Sequence, residues 1–286
     1  MNDGNELPGL RKYPLARRGL MMSSLMTGLT LATTRVEAQV IHTDSAGIEA
    51  GEVKIPAGDV DLPGYFAKPQ GAGRFPIVVV NEEIFGLHDY IKDICRRLAK
   101  AGYAAVAPEI YARVGDLSKV SDMQQIGAIV AAAPDATLMS DLDHAVAYAS
   151  AHGGDVSRLG TVGFCQGGRT VWLFAAHNPN LKAAVAFYGP VLNATSAAKP
   201  KTATELAADI KCPLLCLDGA ADTFVKVPDV QAAAATARAA GKTVEVVVYP
   251  DAVHGFHADY RPSYNAEAAA DGWKRMLAWF KQYGVA

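Results

Sequence analysis

The five residues Gly163-Phe164-Cys165-Gln166-Gly167 restrict this chain more than any other stretch. They carry the G-x-S-x-G spacing of a nucleophile elbow, with sulfur where oxygen usually stands. Such a motif needs a strand before it, a sharp turn at the nucleophile and a helix after it. Here the run Gly160-Thr161-Val162 precedes it, and a helix-compatible segment from Gly168 to His177 follows. Glycines on either side let the strand and helix approach without a Cβ between them. The pentapeptide alone does not separate a nucleophile from a buried structural cysteine.

Two later signals narrow the choice, in the order nucleophile, acid, histidine. The apolar strand Pro213 to Leu217 ends in a loop carrying Asp218 and Asp222, either of which is a candidate acid. Each could equally serve as a helix cap. The strand Val244 to Tyr249 leads into Asp251-Ala252-Val253-His254-Gly255-Phe256. A histidine just past a strand end, followed by glycine, suits a general base held on a rigid loop.

The wider pattern indicates an α/β class. Val53, Ile55, Val60, Leu62, Tyr65 and Phe66 predict an antiparallel hairpin from Gly51 to Pro69, with Gly58-Asp59 near its turn. From Pro76 the rhythm changes to continuous apolar runs, Ile77 to Val80 first, as expected of strands buried on both faces. Tyr103 to Ala107, the elbow strand, Ala183 to Tyr188, Pro213 to Leu217 and Val244 to Tyr249 continue the series. Helices fall between them, over about His88–Ala101, Asp135–His152 and Tyr264–Tyr283. The expected architecture is a mostly parallel central sheet with helices on both faces and an N-terminal antiparallel hairpin. Trp273, Met276, Leu277 and Phe280 stand at helical spacing and read as core.

With 286 residues, half of them apolar, the chain can build one sizeable core. A net charge of −2, with both signs mixed along the chain, leaves no basic field for nucleic acid. Arg17-Arg18, the uncharged run Gly19 to Thr34 and Val36-Glu37-Ala38 read as a twin-arginine export signal over residues 1–38. A domain over 45–286 would follow, periplasmic or secreted, with no stable membrane insertion after cleavage. Its expected state is a monomer, with an oligomer left open. Cys95, Cys165, Cys212 and Cys216 are expected as four free thiols, three of them buried and inert. Cys212 and Cys216 in one extended strand would lie about 13 Å apart, too far to bridge. His88, His144, His152, His177, His254 and His257 form no metal-binding pattern, and neither metal nor cofactor is expected. His257 is read as a supporting or surface residue.

Together, Asn81-Glu82-Glu83-Ile84-Phe85-Gly86, Gly102 to Arg113, Gly163 to Gly168, Asp222 and Ala252-Val253-His254-Gly255-Phe256 resemble the dienelactone hydrolase family. These are cysteine-dependent enzymes of the α/β-hydrolase fold that open unsaturated lactones. The resemblance runs from about residue 50 to the C-terminus. It implies Cys165 as nucleophile, Asp222 as acid and His254 as base. It implies Glu83 as the carboxyl that interacts with the resting thiol, and the Ile84 and Gln166 backbone N–H groups as the oxyanion hole. A thiolate is the attacking species, so a histidine to take its proton and a following helix N-terminus to favour the anion both make chemical sense. A carboxylate beside a thiolate disfavours both charges. Glu83 is therefore expected to be raised and to take or share the thiol proton, with Glu82 the competing position.

One departure concerns the substrate. Family members that prefer dienelactone place an arginine four residues past the histidine, where this chain has Ala258. Arg261 and Arg113 are candidate replacements, and Tyr188 a candidate pocket residue. The expected activity is opening of a lactone or cleavage of a carboxylic ester through a cysteinyl thioester. The alternatives are a broad carboxylesterase or acyl hydrolase, and an idle scaffold that binds a small ligand.

Overall fold

The computed structural model describes residues 40–286. The proposed export signal over 1–38 lies outside them. Eight strands form one sheet in the order β1-β2-β4-β3-β5-β6-β7-β8. β1 (Ile48–Pro56) and β2 (Asp61–Pro69) are the expected hairpin, turning through Gly58 at φ 79°. β2 also runs antiparallel to β4 (Ala104–Pro108). From β4 onward every pairing is parallel, through β3 (Phe75–Asn81), β5 (Gly154–Phe164), β6 (Leu181–Phe187), β7 (Leu214–Gly219) and β8 (Val244–Tyr249).

Strand alternation divides the apolar residues between two cores. Ile77 and Val79 join one, and Val78 and Val80 the other. The first is covered by α2 (Met123–Ala132), α3 (Asp135–Ala151), α4 (Gln166–His177) and α6 (Val227–Ala239). The second is covered by α1 (Asp89–Lys100) and α7 (Ala266–Gln282). A one-turn helix, α5 (Ala203–Leu206), has a capping box in which Thr202 and Glu205 satisfy each other's backbone N–H groups. Met276 and Phe280 of α7 are fully buried, as their spacing predicted.

Three local features differ from the sequence reading. The elbow strand is longer than its apolar run, because polar residues 155–158 extend it past the register shift at Leu159/Gly160. Helix α2 was not anticipated; Asp122 caps it by accepting from the Gln125 N–H. Cys212 lies just before β7 rather than within it. All four cysteines are free and buried.

Candidate active site

The site assembles where β3, β5, β7 and β8 end at one edge of the sheet, so loops of distant sequence converge there. Cys165 follows β5 directly and has φ 54° and ψ −120°. A non-glycine residue in such a region costs about 1–3 kcal/mol, and it persists only when its surroundings enforce it. Here the enforcement is close backbone packing. A Cβ on Gly163 would lie 2.2 Å from the Gly167 carbonyl oxygen, and one on Gly167 would lie 2.2 Å from that of Asn81. Asn81 fixes the same junction by donating to Thr161 Oγ1 (2.8 Å) and to the Val162 carbonyl (3.0 Å).

The bend aims Cys165 Sγ at His254 Nε2, 3.1 Å away. His254 Nδ1 lies 2.8 Å from Asp222 Oδ2. The other Asp222 oxygen accepts from the Phe224 and Val225 backbone N–H groups, at 2.7 and 2.9 Å, which fixes the carboxylate in place. The remaining candidate acid, Asp218, is buried with neither oxygen hydrogen-bonded. Burial, then the Asp222 charge, pushes its carboxyl up to about 8. Geometry therefore selects Asp222 as the histidine's partner. Burial by itself would drive His254 towards the neutral form. The sulfur and the Asp222 carboxylate outweigh it and raise the imidazolium to about 10.

Tyr188 sits behind this relay with no exposure, its ring edge-on to His254 at 5.1 Å between centroids. It supports the histidine ring and presents no surface to a substrate, which corrects its reading as a pocket residue. His257 is also buried and within 2.7 Å of the Tyr90 hydroxyl. Burial and the Arg97 charge lower it to about 3, so it stays neutral.

Glu83 departs from expectation. Arg261 Nη2 donates to its Oε1 at 3.0 Å, the Tyr260 hydroxyl donates to its Oε2 at 2.6 Å, and His88 Nε2 lies 3.4 Å from Oε2. Burial alone would raise this carboxyl. The Arg261 charge, His88 and Tyr260 reverse that and hold it down at about 2. Glu83 is thus an ionised partner of Arg261, not an acid sharing the thiol proton, and no hydrogen bond joins it to Cys165 among the described residues. Arg261 is held further by the Tyr260 hydroxyl and by the Phe85 ring face, 5.0 Å from its guanidinium carbon. Its Nη1 is buried without a partner.

Arg113 is not at the site. It forks onto Asp141 and reaches Asp59 and the Ala57 carbonyl, tying the β1–β2 turn to α3. Its reading as a substrate ligand fails because those acceptors already occupy its donors. Neither the Ile84 nor the Gln166 backbone N–H has a hydrogen-bond acceptor among the described residues.

Sequence reasoning missed His88 and Tyr260, whose importance arises only from their meeting at Glu83. It also missed Arg169, one turn past Cys165. Arg169 is fully buried and pairs with Asp135 through two bonds of 2.8 and 2.7 Å. A charged residue inside the apolar stretch of α4 was the available signal.

Comparisons with known proteins identify the family. A family model described as the dienelactone hydrolase family matches residues 62–284. A Methylorubrum extorquens protein named "Putative carboxymethylenebutenolidase" is 54% identical over 275 residues, 95% of this chain and 94% of that one. A Salmonella typhimurium protein of the same name is 46% identical over 266 residues, covering 92% of this chain and 98% of its own. The crystal structure titled "Putative Dienelactone Hydrolase" from Klebsiella pneumoniae superposes with a TM-score of 0.80 at 50% identity, over 82% of this chain and 99% of that one. The match over most of its length, together with these relatives, establishes that the chain belongs to the dienelactone hydrolase family.

Proposed function

We propose that this chain hydrolyses lactones or carboxylic esters, with Cys165 forming a cysteinyl thioester. The observation that carries the reading is the Cys165–His254 contact of 3.1 Å at a backbone bend that only tight packing sustains. In the reaction the sulfur attacks the carbonyl carbon while the cysteine proton resides on His254. The Asp222 carboxylate keeps Nδ1 protonated and steadies the imidazolium. The Ile84 and Gln166 N–H groups receive the developing oxyanion, a contribution of about 3 kcal/mol per donor in comparable sites. Collapse expels the alkoxide, which takes the His254 proton. In a lactone this alkoxide stays tethered to the acyl group. Water, deprotonated by His254, then cleaves the thioester and regenerates the thiol.

The test compares the native protein with Cys165→Ala on p-nitrophenyl acetate and on a dienelactone. Turnover of both must vanish in the variant; survival of either moves the nucleophile elsewhere. Cys165→Ser separates a broad esterase, which retains substantial activity, from a site adapted to sulfur. The relay argues against an idle scaffold, since a ligand-binding site has no need of it.

The substrate ranges more widely than a carboxylate-bearing lactone in this reading. Ala258 is buried and apolar, and the Arg261 charge is already met by Glu83. Comparing KM for neutral and anionic esters tests this; a strong preference for anions would reject it.

The export reading rests on Arg17-Arg18 and the segment through Ala38. Replacing both arginines by lysine should retain the uncleaved protein in the cytoplasm. Periplasmic recovery of the variant, cut near Ala38, would reject a twin-arginine route. The mature protein is proposed as a monomer, which light scattering would check.

A further inference from the structure

The loop that carries Glu83 and Ile84 is fastened by a second pair of carboxyl groups, distinct from the relay. Glu82, fully buried, accepts from the Ile110 backbone N–H through Oε1 at 3.0 Å. Glu109, just past β4, accepts from the Leu87 backbone N–H through Oε2 at 2.7 Å. Each carboxyl therefore crosses between the loop 82–87 and the segment 109–110, in opposite directions. Their other oxygens, Glu82 Oε2 and Glu109 Oε1, are both buried and without any donor. The two side chains lie within hydrogen-bond reach of each other. Two buried carboxyl groups this near, each with an oxygen that lacks a donor, are an arrangement that one proton satisfies and that two negative charges would force apart.

We propose that Glu82 and Glu109 form a carboxylic acid–carboxylate pair, and that this pair is a positioning device which holds the Ile84 N–H at the reacting carbonyl. The inference rests on the reading of that N–H as an oxyanion donor. Glu82 carries the proton on Oε2 and donates it to Glu109 Oε1. Burial, then the Glu109 charge, favours the protonated form of Glu82, against the opposing Ile110 N–H.

Among the described residues, no cation is hydrogen-bonded to either carboxyl. Tyr111 is fully buried and its hydroxyl is unpartnered. Arg169, from α4, is neutralised by Asp135. Glu109 borders a cavity of ≈ 710 Å³ whose charged walls include Glu52, Asp61, Asp116, Lys54 and Lys92. Lys92 is bound to Glu52 at 2.7 Å. That cavity offers the pair a route to exchange its proton with solvent.

The pair makes a signed prediction. The native state still holds at neutral pH a proton that an unfolded glutamate has already released, so wild-type stability falls as pH rises above the ordinary carboxylate range. In Glu82→Gln the amide N–H replaces the shared proton and the amide oxygen keeps the Ile110 bond. The plot of Tm against pH from 5.5 to 9 should therefore be flatter than wild type. With p-nitrophenyl acetate at neutral pH, Glu82→Ala should lower kcat by about 10- to 100-fold through loss of loop placement, with KM changed far less. Glu82→Gln should recover most of that kcat and keep it further into alkali than wild type. An unaltered kcat in Glu82→Ala, or a Tm profile in Glu82→Gln parallel to wild type, overturns the proposal. If Glu82→Ala fails to fold, the glutamine profile decides alone. Activity surviving in Cys165→Ala would instead strike the catalytic reading, leaving the stability profile as the judge of the pair.

Discussion

Cys165 and Cys216 are both buried at the sheet, and little in their exposure separates them: 2% for one, 1% for the other. Cys216 lies inside β7 with ordinary strand neighbours, and burial pushes its thiol well above the usual range. Cys95, on α1, is raised by burial in the same way. Cys212 is pushed up to about 12. Cys165 differs in two respects, a backbone bent to φ 54° and an imidazole 3.1 Å from its sulfur. The comparison teaches that burial does not decide whether a thiol is chemical or inert. Placement at a strand end does, because only there can loops bring a proton acceptor to it.

The largest effects should fall on one side of that comparison. Cys165→Ala is expected to reduce kcat by a factor of about 10⁴ or more, while Cys95→Ala and Cys216→Ala leave it within about twofold. Steady-state kinetics on p-nitrophenyl acetate decide it; a comparable loss in Cys216→Ala would erase the distinction. Asp222→Asn should follow, with kcat lower by about 10³–10⁴ because the imidazole loses its tautomeric partner. Asp218→Asn should have a much smaller effect. Reversal of that order would move the acid four residues back.

A second pair of regions sharpens the lesson. The relay sets a thiol 3.1 Å from an imidazole, whereas Glu83 and Arg261 are a closed ion pair with Tyr260 and His88 around it. Removing one partner of a buried pair strands the other charge. Arg261→Met is expected to cost about 3–5 kcal/mol in urea unfolding, and adding Glu83→Gln should recover most of it. Additive losses in the double variant would mean that the two side chains stabilise the fold independently.

Much of this was legible before the structure. The elbow, the parallel strands and the hairpin are written in local patterns, glycine spacing and apolar runs that need no tertiary context. Asp222 was separable from Asp218 only through family resemblance, since both follow the same strand; the coordinates supply the reason, a carboxylate already bound to the Phe224 and Val225 N–H groups. The protonation of Glu83 was misread because its fate depends on Arg261, His88 and Tyr260, residues five to 178 positions away that no short window connects. Arg113 and Tyr188 were misread for a related reason. A sequence shows that an arginine or tyrosine exists near a motif, but not that Asp141 or a layer of aromatic rings has already claimed it.

The smallest effect is also the most direct measure of how the relay differs from an inert thiol. His254 is raised from its ordinary value near 6.5 to about 10. A histidine raised on folding adds stability that is fully present below 6.5 and is lost as pH climbs through about 10. Wild type should therefore exceed His254→Gln in stability most clearly near pH 6, and the gap should close as pH approaches 10. Urea midpoints at a series of pH values measure the gap, and packing differences between the two side chains add only an offset that does not vary with pH. A gap that stays constant from pH 6 to 10 would show that His254 gains no proton affinity from its neighbours. The relay would then be a contact between a neutral imidazole and a thiol, no closer to chemistry than the cysteine in β7.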